Sequence, residues 1–173
     1  MAAVIFNEEW FCQQSQDALA KLADRTAGLA GAVIEVGCWE GRSTVALADA
    51  VYPEVVHAVD TWEGSPGEPS WELAHDRDVY ATFSENTDGL NIKAHRMPWQ
   101  SFFDAWAGPV RFCHIDAEHT YEQVRGNIEA VLPYLVDGGV LCGDDAHHPP
   151  VLAAATEVLG TVNRAATLWW WQK

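Results

Sequence analysis

The chain of 173 residues is predicted to form one α/β domain, a doubly wound and mostly parallel sheet with helices on both faces and an antiparallel last strand. Three observations predict it. Short apolar runs alternate with stretches of helical spacing along the chain, the pattern of strands each followed by a helix. Two of those runs, Val110 to Ile115 and Gly139 to Gly143, close on aspartate and are separated by a helix-length crossover. Such a strand–helix–strand unit closes right-handed with its strands parallel. An earlier run, Ala32 to Val36, passes through Gly37 and Gly41 directly into a helix.

In chain order, Trp10 to Ala27 carries Phe11, Ala18, Leu19 and Leu22 on one face and reads as a helix within an N-terminal helical segment, 1–30. Ala32 to Val36 is a buried strand, Gly37 to Gly41 its turn, and Ser43 to Val51 the next helix. Val55 to Val59 is a second strand ending at Asp60. Two prolines and two glycines make Thr61 to Ser70 a loop. The wider 61–80 segment is where a lid or substrate loop is expected. Trp71 to Asn86 reads as helix, Ile92 to Met97 as a third strand, and Trp99 to Trp106 as a short helix. Apolar spacing through Val124, Ile128, Val131, Leu132 and Leu135 assigns a helix from Tyr121 to Leu135. Val151 to Leu159 is the last helix, and Thr161 to Trp171 supplies one or two closing strands. The Trp169-Trp170-Trp171 run reads as an edge strand with both faces covered, a homodimer contact being the other reading.

Composition narrows the function. A formal charge of −15 argues against nucleic-acid and anionic-membrane partners, both of which need a basic face. No run approaches the roughly eighteen apolar residues of a membrane span. Met1 to Trp10 shows neither a basic nor an apolar signal region. Cys12, Cys38, Cys113 and Cys142 have no metal-site spacing and suit a reducing, cytoplasmic setting.

The chemistry points to the ends of the strands. Neighbouring strands lie about 4.8 Å apart, so Asp116, Asp144 and Asp145 converge at the carboxyl edge, where open α/β sheets bind ligands. Each pair of such carboxylates repels by about 4 kcal/mol at 4 Å and an effective dielectric near 20. A bound hard cation such as Mg2+ relieves that repulsion. The turn Gly37-Cys38-Trp39-Glu40-Gly41 lets backbone approach a ligand and opens a helix with free N–H donors. Asp60, ending the next strand, is placed to accept ribose hydroxyls. Plainer readings stand beside these: Asp60 as a turn cap, Asp144-Asp145 as a helix cap, and Asp116 as an ordinary strand-end acid.

The segments Glu35-Val-Gly-Cys-Trp-Glu-Gly-Arg-Ser-Thr44, Val59-Asp60-Thr61-Trp62, His114-Ile-Asp116-Ala-Glu-His119-Thr-Tyr121 and Asp137-Gly-Gly-Val-Leu-Cys-Gly-Asp144-Asp145 resemble the class I S-adenosylmethionine methyltransferases. Among these the chain is most similar to the macrocin-type small-molecule O-methyltransferases. The resemblance implies a Rossmann-like methyltransferase fold and a small hydroxylated acceptor: a sugar, polyol or phenolic diol. It implies Glu35, Gly37 and Ser43 at the methionine end of S-adenosylmethionine, Asp60 on the ribose, and Trp99 to Ser101 beside the adenine. Gly41, Thr61, Trp62 and Asp116 complete the implied cofactor contacts. Asp116, Asp144 and Asp145 match metal-ligand positions, and His119 a general base acting with Asp116. Standing three apart on an opening helical turn, Asp116 and His119 are expected to face one pocket. A non-catalytic nucleoside-binding module and a metal-dependent hydrolase on the same sheet are the alternatives.

Overall fold

A computed structural model describes residues 4–173. The first three positions of the N-terminal readings, and of a domain drawn from residue 1, lie outside the described residues. The elements run α1 (Gln13–Asp24), β1 (Ala32–Val36), α2 (Arg42–Val51), β2 (Val56–Asp60), α3 (Pro69–Asp76), α4 (Val79–Asn86), β3 (Ile92–Arg96), α5 (Trp99–Ala105), β4 (Val110–Ile115), α6 (Tyr121–Val131), β5 (Leu135–Gly143), α7 (Pro149–Leu159), β6 (Asn163–Ala165) and β7 (Leu168–Gln172). Strand order is β3-β2-β1-β4-β5-β7-β6. β1 to β5 pair in parallel, and β7 and β6 close the sheet antiparallel. The order reverses between β1 and β4, so their carboxyl ends flank a crevice.

Strand parity splits the core into two layers. Ile34, Cys113, Ile115, Leu141 and Trp169 pack with Val124, Ile128 and Ala154 of α6 and α7. On the opposite side Val33, Phe112, Val140, Cys142 and Leu168 meet Leu19, Leu22 and Leu47 of α1 and α2. All six residues of β4 are buried, including Arg111. Its guanidinium is satisfied by Glu54 Oε2 at 2.7 Å and Thr26 Oγ1 at 2.6 Å.

Several boundaries differ from the sequence reading. α1 begins at Gln13 rather than Trp10, because the preceding residues are drawn out along the glycine turn. Ile5 N–H donates to Asn86, Asn7 donates twice to Glu40, and Trp39 donates to Glu8. The single helix expected over 71–86 is two, interrupted where Arg77 takes an extended backbone (φ −149°, ψ 159°). Asp78 then caps α4 by accepting from Ala81 N–H at 3.0 Å. Thus α3 occupies part of the 61–80 segment. α6 stops at Val131 and Leu135 belongs to β5, which runs on through Gly138 and Gly139. Glycines at a register shift against β4 let one strand bend without ending. The tryptophan run is not at an edge: β7 lies between β5 and β6. Trp169 is buried on the α7 side, and Trp170 carries the Arg25 guanidinium 4.7 Å over its ring.

Candidate active site

A cavity of about 850 Å³ opens at the carboxyl ends of β1, β2, β4 and β5, a size typical of small-molecule sites. Its floor is the glycine turn. Gly37 adopts φ +84°, and a Cβ there would overlap the Asp116 carbonyl, so only glycine allows β1 and β4 to end this close. Gly41, at φ +90°, ends the turn without a side-chain cap for α2. The first-turn N–H groups of that helix therefore remain free where Arg42 and Ser43 line the cavity. Three non-glycine residues sit in the left-handed region around this site: Trp39 at φ +47°, Trp62 at +56° and Asp145 at +56°. Strain of this kind gathers at functional sites.

Asp60 lines the cavity and braces the turn. One carboxylate oxygen accepts from Cys38 N–H (2.7 Å) and Trp39 N–H (3.0 Å), the other from Trp62 N–H (2.7 Å). Of about four acceptor positions on a carboxylate, one is left for a ligand. Thr61 and Trp99 also line the cavity, joined there by Met97 and Gln100. Ser101 is exposed and Trp62 is buried behind the wall, its indole donating to the Trp39 carbonyl at 2.7 Å. Neither reaches the cavity, and Gly41 packs against the Phe83 ring instead of lining it.

Glu35 is placed differently from the expectation of a cofactor contact. Strand parity turns it into the core opposite His114, whose Nδ1 lies 3.0 Å from Glu35 Oε1 with both side chains fully buried. Burial pulls the His114 pKa down, but the bond to Glu35 and the nearby aspartates outweigh it and leave it raised. The pair sits beneath the floor.

Also lining the cavity, Asp116, His119 and Asp145 each offer a ligand atom, all within 4.8 Å of one another. They stand on the loops after β4 and β5; the Asp116–Thr120 stretch precedes α6 and is not its opening turn, since Thr120 is the cap. His119 Nε2 lies 2.8 Å from Asp145 Oδ2 and 3.7 Å from Asp116 Oδ1. On the opposite side of the ring, Glu68 Oε1 accepts from Nδ1 and from the His119 backbone N–H, each at 3.0 Å. Asp144 is not in this group. Its Oδ1 accepts a short hydrogen bond from the Thr167 hydroxyl, which also lies 2.7 Å from Ser15 Oγ. The acidic trio expected from the sequence is thus assembled with an imidazole in place of its middle carboxylate.

Electrostatics follow from this packing. Burial lowers the His119 pKa, but the Asp116, Asp145 and Glu68 carboxylates around its ring overcome that and push it up to about 12. Burial first, and then the Asp144 charge, raise Asp116 to about 6 against the pull of His119. The His119 ring, its Nε2 2.8 Å away, holds Asp145 below the usual range. Three carboxylates around one imidazole leave the cluster with excess negative charge, which favours a cation there.

Glu68, Glu40, Arg77 and the 6–11 strap escaped the sequence reading. Arg77 bridges Glu8 (2.6 Å) and Glu40 (2.7 Å), fastening the strap whose Phe6, Glu8, Trp10 and Phe11 form one cavity wall. Only the Glu-Pro step at 68–69 carried a local signal, that of a helix start.

A family model described as a methyltransferase domain matches residues 34–146. Among solved structures, a calicheamicin methyltransferase, CalS11, superposes with a TM-score of 0.71 at 15% identity, covering 94% of this chain and 80% of that one. The O-methyltransferase NovP gives 0.67 at 16%, covering 92% and 79%. An O-methyltransferase from Bacillus cereus, in complex with SAH, gives 0.59 at 14%, covering 91% and 80%. At such identities the likeness to these structures is one of fold.

Proposed function

The chain belongs to the methyltransferase domain family, and from that premise we propose that it transfers the methyl group of S-adenosylmethionine to a hydroxyl of a small, uncharged or cationic acceptor, assisted by a divalent cation. The observation that carries this reading is one cavity lined both by the glycine turn with Asp60 and by Asp116, His119 and Asp145.

The residues fit both groups. The open first turn of α2 supplies N–H donors for the methionine carboxylate, and Asp60 keeps an acceptor position for a ribose hydroxyl. Trp99 and Met97 offer flat and apolar surface beside them. Carboxylate oxygens of Asp116 and Asp145 within 4.8 Å of each other match the reach of one small cation, with the His119 imidazole beside them. His119 Nε2, although close to Asp145, makes no well-formed hydrogen bond and is the ring nitrogen left for proton transfer. Carboxylate oxygens suit Mg2+ and Mn2+ alike. Such an ion lowers the pKa of an acceptor hydroxyl by Lewis acidity, several kcal/mol of charge stabilisation.

In the transfer, the hydroxyl oxygen bonds to the sulfonium methyl carbon as the carbon–sulfur bond breaks, leaving the electron pair on sulfur. The hydroxyl proton goes to a base. His119 is the proposed acceptor through Nε2, since Nδ1 is committed to Glu68. It would fill that role when a divalent cation held by Asp116 and Asp145 displaces its proton, Nε2 itself staying uncoordinated so that its lone pair is available. Asp116 and Asp145 hold the charge balance around it.

Acceptor chemistry is constrained by the lining. Glu8, Glu63, Glu68 and Glu118 face the cavity, and Arg42 is the one Lys or Arg among the lining residues described. Arg42 is already engaged by the Glu8 carbonyl at 3.1 Å and by Phe6. This disfavours phosphorylated acceptors, in contrast to the TDP-rhamnose named for a calicheamicin enzyme. Trp10 and Trp71 supply exposed aromatic faces for a ring. The charge of −15 speaks against nucleic acid as partner, and four free cysteines suit a cytoplasmic setting. Among the described residues no helix is long and apolar enough to cross a membrane. A homodimer remains part of the proposal only as a solution property to be measured.

The test is transfer of labelled methyl from S-adenosylmethionine to a panel of neutral, amine-bearing and phosphorylated diols, with and without EDTA. Label on a neutral or amine-bearing diol, lost with EDTA and restored by Mg2+ or Mn2+, is expected. S-adenosylhomocysteine binding with no transfer would favour the non-catalytic module. Undiminished transfer in EDTA would remove the metal.

A further inference from the structure

We infer that Glu68 is the positioning residue of the site: it fixes the ring of His119 so that Nε2 faces Asp145 and Asp116. The inference rests on the transfer reading for its kinetic consequence but not for its structural one. His119 lies in the loop between β4 and α6, so no helix or strand restrains it. Its ring is held on one edge by aspartates that a ligand would engage, and on the other by Glu68 alone. Glu68 comes from a segment 51 residues away and uses a single oxygen to clasp both the backbone N–H and Nδ1 of His119 at 3.0 Å.

The loop is shaped to present it. Gly64 takes φ +74°, where a Cβ would overlap the Ser70 carbonyl. Ser65 N–H donates to Ser70 Oγ at 3.1 Å, and Glu68 N–H returns to the Ser65 carbonyl at 3.0 Å. Pro69 then starts α3 at a position that needs no N–H partner. Although Glu68 occupies the cap position of α3, its side chain makes no cap bond there. It is turned instead across the cavity to His119. A carboxylate on the second nitrogen of a working histidine sets the ring orientation and which nitrogen is presented.

Three variants of the full chain test this: Glu68→Ala, Glu68→Met and Glu68→Gln. Methionine keeps the length without an acceptor, whereas glutamine keeps an acceptor oxygen. With the acceptor found in the transfer assay, kcat should fall about ten- to a hundredfold in E68A and E68M. Affinity for S-adenosylhomocysteine should stay within about twofold, and E68Q should recover most of kcat. Independently of activity, the His119 Nδ1–H resonance, assigned by its absence in His119→Gln, should persist in wild type and E68Q and vanish in E68A and E68M. Wild-type kcat in E68M, loss in E68Q equal to that in E68A, or a persistent resonance in E68M would each overturn the inference. A wild type that transfers nothing defeats the transfer reading while the resonance still decides this one.

Discussion

Replacing Arg77 by methionine removes a guanidinium that holds the N-terminal strap and the glycine turn together, and its cost can be worked from the burial of its partners. Glu40 is 2% exposed and Glu8 17%, against 26% for Arg77 itself. Removing one partner of a fully buried pair costs about 3–5 kcal/mol, mostly because a charge is left without compensation. Here Glu40 keeps two donors from Asn7 at 2.6 and 2.7 Å, Glu8 keeps the Trp39 indole at 3.0 Å, and Arg77 is partly hydrated. The expected loss is therefore about 2 kcal/mol, below that range. For a chain of this size it corresponds to a fall in Tm of about 4–8 °C. Scanning calorimetry of R77M, E40Q and the double variant isolates the pair. Because E40Q removes the stranded charge, the double variant should be more stable than the sum of the singles by about 1 kcal/mol. A Tm for R77M within 1 °C (about the noise of such a shift) or strict additivity would refute the claim that this ion pair fastens the strap.

Other consequences follow from single positions. Gly37→Ala must place a Cβ against the Asp116 carbonyl at a left-handed φ, so urea unfolding should show a loss of about 3 kcal/mol or more; a near-neutral midpoint would contradict the close approach of β1 and β4. His95, stacked on His57 with ring nitrogens 3.0 Å apart, has its pKa lowered to about 4 by burial and then by the His57 and Lys93 charges. The unfolded chain binds that proton near pH 6.5 and the folded one does not, so stability should decline as pH falls from about 6.5 to 4. His95→Gln should flatten that part of the Tm profile, and an unchanged slope would show that the stacked pair is not its source.

Which parts of this were legible in the sequence has a physical pattern. Asp116 and Asp145 were found because apolar strands ending in acids must come together at a parallel sheet's carboxyl edge, a rule that needs no side-chain detail. Gly37 was found because a turn there demands a left-handed residue. The company these residues keep was not legible. Thr167, which takes Asp144 out of the cluster, arrives on the antiparallel hairpin twenty-three positions later. Glu68 arrives from an irregular loop. Neither partnership leaves a periodic trace. Glu35 departs from the position the family resemblance implies, because strand parity sends it inward with Val33. Periodicity does not reveal strand order, so the tryptophan run reads as an edge although β6, the strand before it in the chain, covers it.

The most direct test is whether the cluster of Asp116, His119 and Asp145 takes a cation beside a nucleoside pocket. Crystals of the protein grown with S-adenosylhomocysteine and soaked in Mn2+ measure this directly through anomalous scattering. The account predicts an anomalous peak bonded to Asp116 and Asp145, with the nucleoside over the glycine turn and its sulfur facing that ion. Well-ordered S-adenosylhomocysteine with no peak at saturating Mn2+, and the imidazolium still seated between the two aspartates, would contradict it.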